Sequence, residues 1–86
     1  MRTKLKYVMF NDKTFILIPL TMSHDDVAMK EQVRSAGFIQ ILDEYEENQW
    51  GEKYLKVYCY GESTSLGKKA NSEDDSIIIN SALRLN

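Results

Sequence analysis

Residues 23–42 read SHDDVAMKEQVRSAGFIQIL, and the way this stretch divides decides the fold. Ser23 followed by Asp25 and Asp26 is a helix-start signal. The hydroxyl can accept from first-turn N–H groups, and the acids suit the positive end of the helix dipole. Ala28, Met29, Gln32, Val33 and Ala36 then fall on one face of a helix. Gly37 is a natural left-handed stop. The spacing predicts a helix over 25–36, and Phe38-Ile39-Gln40-Ile41-Leu42 reads as a strand that follows it.

Upstream, Leu5 to Phe10 and Thr14 to Leu20 are runs of β-branched and aromatic residues, separated by Asn11-Asp12-Lys13. Asn and Asp bond their own main chain and tolerate the left-handed region, so this is a hairpin. Phe15-Ile16-Leu17-Ile18 has no polar alternation, which predicts apolar cover on both faces. Pro19 cannot donate to a ladder and marks a strand end or an edge.

Downstream, residues 43–52 hold five acids in ten positions, which reads as a solvated loop or as strand ends splaying into one. Lys53 to Tyr60 alternates cleanly: Leu55, Val57 and Cys59 share one face, and Tyr54, Lys56, Tyr58 and Tyr60 the other. Residues 61–71 form a Gly/Ser/Thr/Lys loop. Ser72-Glu73-Asp74-Asp75 repeats the helix-start signal, and Ile78, Ile79, Ala82, Leu83 and Leu85 make the broad stripe of a well-buried helix. The expectation is a single α+β domain over residues 1–86, in the order ββαββα. It has a four-stranded, mainly antiparallel sheet with two helices on one face. The two S-x-D-D runs raise the idea of an old duplication, but repeated capping chemistry explains them more simply.

At 86 residues and net charge −2 the chain holds one domain with a thin core. One cysteine excludes an intramolecular disulfide and fits a reducing cytoplasm. No apolar run approaches the ~20 residues that span a bilayer, so no membrane partner is expected. Charge is segregated: about +3 before residue 14, −5 over 43–52 and +3 over 53–69. Such segregation can steer a complementary partner or neutralise itself between strands.

The chemistry-bearing residues are few. His24 beside Asp25 and Asp26 could act as a base, but it has no nucleophile or metal partner at a useful spacing, and an exposed cap is the simpler reading. Cys59 lies on the Leu55/Val57 face and reads as core. No cofactor and no metal site is expected, because the EF-hand pattern and His/Cys ligand spacings are absent. Gly61-Glu62-Ser63-Thr64-Ser65-Leu66-Gly67-Lys68-Lys69 fails the P-loop spacing. It leaves a weak anion site at Ser63, Thr64, Ser65, Lys68 and Lys69.

The aromatic residues Tyr45, Trp50, Tyr54, Tyr58 and Tyr60 lie within sixteen positions. Their strand face is a contact surface, a core or a base-stacking platform, and alternation alone does not choose. The acidic neighbourhood argues against nucleic acid. The favoured expectation is a non-enzymatic interaction or accessory domain of the kind that phages and mobile elements carry. Its partner is a second copy in a homodimer, or another protein. It makes contact through Trp50, Tyr54, Lys56, Tyr58, Tyr60, Phe15 and Leu17. The alternative is a small-molecule module built on the 61–69 loop.

Overall fold

Val33–Glu47 is one continuous strand: it contains the expected strand over 38–42, takes in the end of the expected helix and runs on into the acidic segment. The computed structural model describes residues 3–85, with the backbone alone at residues 43, 84 and 85. Its elements are β1 (Thr3–Phe10), β2 (Phe15–Ile18), β3 (Val33–Glu47), β4 (Lys53–Tyr60), β5 (Glu62–Ser63), β6 (Lys68–Lys69), α1 (Ser72–Ala82) and β7 (Arg84–Leu85). The main sheet runs β2-β1-β3-β4-β7, antiparallel throughout, and β5 and β6 form a separate two-stranded ribbon.

This corrects the expected four strands and two helices. Residues 24–32 make only two short 3-10 turns, His24–Asp26 and Lys30–Gln32. The helical stripe over 25–36 was too weak to hold: Met29, on that face, stays 62% exposed. The competing demand came from β1, where Tyr7, Val8 and Met9 are all fully buried. A strand covered on both faces and flanked on both edges needs a second partner, and residues 33–37 supply it. Val8 pairs with Ala36 and Tyr7 with Gly37. Tertiary pairing thus overrides a marginal local pattern.

Gly37 serves close approach rather than a helix stop. A Cβ there would sit 2.5 Å from the Tyr60 carbonyl oxygen. The first hairpin forms as expected, although Lys13, not Asn11 or Asp12, takes the positive φ of 70°. Asp12 closes the turn by accepting from the Thr14 N–H and hydroxyl.

Helix α1 begins where the second S-x-D-D run stands, but its N-cap is Asn71, whose side chain accepts from the Asp74 N–H. It is narrower in burial than its stripe implied: Ile79 is fully buried, Ile78 and Leu83 are half-buried and Ala82 is exposed. Arg84 and Leu85 leave the helix and pair with Tyr54 and Lys53 of β4. The two S-x-D-D runs therefore do different jobs, and the first opens only a 3-10 turn.

Two apolar clusters lie on opposite faces of the sheet. Beneath α1 sit Tyr7, Met9, Ile39, Val57 and Cys59, packed on Ile79 of the helix, with Phe15 and Leu17 against them. Val8, Val33, Ala36 and Leu66 form the other, flanked by Ile16, Val27 and Ala28. β2 is thus apolar on both sides, as its sequence implied. The second cluster is roofed by the 24–32 segment and the β5–β6 ribbon rather than by a helix. Each fully buried aliphatic such as Ile79 contributes roughly 1.5–3 kcal/mol of transfer free energy.

Candidate functional site

Because Val57 and Cys59 point beneath the helix, Tyr58 and Tyr60 must point away from it. They stand on the bare part of the opposite face. Tyr60 lies across from Phe38 in the register, and Tyr58 across from Gln40. The rings form a row. Phe38 and Tyr60 have centroids 5.8 Å apart at 26°, and Tyr60 and Tyr58 5.8 Å apart at 12°. His24 meets the Phe38 end edge-on at 6.2 Å, and the Lys4 ammonium lies 5.8 Å from the Tyr60 centroid. The row runs from a buried end at His24 to an open one at Tyr58, which is 53% exposed.

This geometry favours a contact surface over a base platform. The rings lie against one another in the row, so no third ring fits between them. Tyr58 is the member of the row that reaches solvent, and Tyr60 is half-buried. Among the described residues, neither the Tyr58 nor the Tyr60 hydroxyl has a hydrogen-bond partner within the chain.

Tyr54 and Lys56 share the face but are tied to Glu46, which receives the Tyr54 hydroxyl at 2.8 Å and the Lys56 ammonium at 2.9 Å. Lys56, then Tyr54, hold the Glu46 carboxyl below the usual range, and Glu46 in turn raises the Tyr54 phenol and the Lys56 ammonium. Trp50 sits at the tip of the β3–β4 hairpin, 75% exposed. The Asn48 side chain shapes that turn by accepting from the Trp50 and Glu52 N–H groups. Phe15 and Leu17 are elsewhere: they lie on β2, the outermost strand at the far side of the sheet from β4. The residues expected to form one interface therefore fall in two separate places.

The 61–69 segment is a hairpin ribbon. Ser63 is 1% exposed, and its hydroxyl accepts from the Leu66 N–H at 3.2 Å and meets the Ser65 hydroxyl at 3.3 Å. Glu62 pairs with Lys69 and Ser63 with Lys68. Thr64, Ser65 and Lys69 stay exposed. The ribbon's apolar anchor is Leu66, only 3% exposed, a single leucine whose significance a polar-loop reading passes over.

The remaining reactive groups do not assemble. His24 is not an exposed cap: it is 4% exposed and its Nε2 lies 2.9 Å from the Gly37 carbonyl. Cys59 is buried, and burial pushes its thiol up to about 11. Asp75, read from sequence only as a helix-start acid, is fully buried and accepts from the Tyr7 and Ser35 hydroxyls and the Asn71 N–H through Oδ2. Its Oδ1 has no hydrogen bond and faces the Arg34 guanidinium at 3.6 Å. With no solvent exposure at Asp75, this network fastens α1 to β1 and β3 and has no room for a substrate. Among the described residues, no three His, Cys, Asp or Glu side chains converge as a metal site. No described helix is long and apolar enough to cross a membrane. Comparison with protein families, curated proteins and solved structures finds no match to this chain.

Proposed function

We propose that the chain is a non-enzymatic interaction domain that meets a protein partner with the bare face of its sheet, centred on Tyr58 and Tyr60. The observation that supports this reading is that the tyrosine row stands outside both apolar clusters while retaining exposed aromatic surface. Tyrosine offers large, stiff contact area with a polar tip and is enriched at protein contacts. Neighbouring Lys4 and Gln40 add donors at the rim.

The test is site-specific. A photo-crosslinking phenylalanine analogue at position 58, in cells producing the chain, should yield a discrete adduct of the chain with one partner. The same analogue at position 69, on the ribbon, should not. Equal adducts at both positions, or none at 58, would overturn the reading.

A further inference from the structure

The two long edges of the sheet are treated differently. On β4, the outward Val57 N–H is taken by the Asn80 side chain at 2.9 Å, and the outward Cys59 N–H by the Ser76 hydroxyl at 2.9 Å. Ser76 and Asn80 are one helical turn apart, so α1 lies along this edge and seals it. β7 covers the remainder by pairing with Lys53 and Tyr54. Natural sheets manage edges in this way because unpaired backbone groups invite another strand.

β2 has no such cover. Its register with β1 fixes which groups are free. The Phe10 N–H bonds the Thr14 carbonyl, so Phe10–Thr14 is a hydrogen-bonded pair. Antiparallel pairs alternate, which makes Val8–Ile16 and Lys6–Ile18 hydrogen-bonded as well. Phe15 and Leu17 must then direct their N–H and C=O groups outward. Among the described residues nothing accepts or donates to them. No charged residue occurs between Thr14 and Ile18 to repel an incoming strand.

We propose that this edge pairs with β2 of a second copy, antiparallel about a two-fold axis through Ile16. That register sets each Phe15 opposite the second copy's Leu17, so the outward groups satisfy one another in about four hydrogen bonds. Self-pairing fits better than a foreign strand for three reasons. The outward groups are confined to two residues placed symmetrically about Ile16. Asp12 and Lys13 fall opposite Leu20 and Pro19 of the other chain, so like charges never meet. Leu20 and Met22, 43% and 37% exposed, lie just past the strand and extend the contact. Pairing about a two-fold axis uses the β2 edge of both copies, so this contact closes at two copies rather than growing a fibre. The axis is normal to the sheet, so the continuous sheet carries both helices on one side and both tyrosine rows on the other. The inference is independent of the tyrosine face.

Sedimentation of the wild-type chain at high micromolar concentration should give twice the chain mass, and Leu17→Pro, which removes an outward N–H, should give the monomer with an unchanged far-UV spectrum. Should Leu17→Pro fail to fold, Ile16→Cys decides. Facing residues in a non-hydrogen-bonded pair have Cα atoms about 4.5 Å apart, within disulfide reach. Ile16→Cys should therefore oxidise to a covalent dimer, and Thr14→Cys, which faces Ile18, should not. A monomeric wild type overturns the proposal, as does a dimer in which Ile16→Cys fails to crosslink or Thr14→Cys crosslinks equally. Tyr58→Ala should remain dimeric, which separates this contact from the tyrosine face.

Discussion

The Tyr7 hydroxyl donates to the Asp75 carboxylate at 2.5 Å across 68 positions of chain, joining β1 to the first turn of α1. Ser35 of β3 donates to the same oxygen at 2.6 Å. Three elements thus converge on one buried acceptor. Asp75→Ala would leave the Tyr7 and Ser35 hydroxyls and the Asn71 N–H without it. The expected loss is about 3–5 kcal/mol, as when one partner of a buried charged network is removed. Tyr7→Phe removes one donor and keeps the ring, so about 1–2 kcal/mol is expected. Urea denaturation of both variants checks the order; a Tyr7→Phe loss equal to or above that of Asp75→Ala contradicts it.

Alkaline stability follows from the same core. Burial, with Asp75 next, raises the Tyr7 phenol above its ordinary 10.0, and burial raises the Cys59 thiol from 9.0 to about 11. The unfolded chain therefore releases these protons first. Stability is full below about pH 9 and falls between pH 9 and 11 as the unfolded thiol ionises, with the Tyr7 contribution adding from pH 10 upward. Cys59→Ala should flatten the first part of the fall and Tyr7→Phe the second, read from urea midpoints against pH. A stability that stays level to pH 11 would count against both.

Gly37→Ala is expected to be among the most damaging small substitutions. Its Cβ would meet the Tyr60 carbonyl at 2.5 Å and the Ala70 side chain at 3.2 Å. Backbone cannot retreat as a side-chain tip can, so β3 and β4 must separate. A loss of about 1–3 kcal/mol follows from overpacking. His24→Ala, which leaves the Gly37 carbonyl without its partner, should cost about 1–3 kcal/mol. Thermal melts of the two variants test this: a wild-type midpoint in Gly37→Ala would refute the close approach, and one in His24→Ala would refute the contribution of the hydrogen bond.

The strands β1, β2 and β4, the sorting of Leu55, Val57 and Cys59 onto one face and of Tyr54, Lys56, Tyr58 and Tyr60 onto the other, and the final helix were legible because each rests on a local pattern: alternation, an apolar run or a start signal. Residues 25–36 were not, because Val33 to Gly37 become strand only by pairing with Tyr7 to Phe10, far away in sequence. His24 looked like an exposed cap for the same reason. Its burial depends on where β3 brings Gly37 and Phe38. The tyrosine face was visible as an alternation, but its freedom from cover depended on the number and placement of helices. Asp75 was hidden among four polar residues, each an ordinary helix-start residue.

Sealing of the β4 edge is testable by opening it. Ser76→Ala and Asn80→Ala each leave a strand N–H without its acceptor. Each should cost about 1–3 kcal/mol, since an unmade bond to a part-buried donor carries its desolvation penalty. The double variant exposes a second pairing edge while β2 keeps the first. A chain with two open edges can propagate, so the closed assembly should give way to concentration-dependent polymers that sediment well beyond two copies. Asn80→Asp retains the acceptor oxygen and should remain small. If the double variant is destabilised but never polymerises in conditions where it is still folded, the helix supports β4 without guarding its edge.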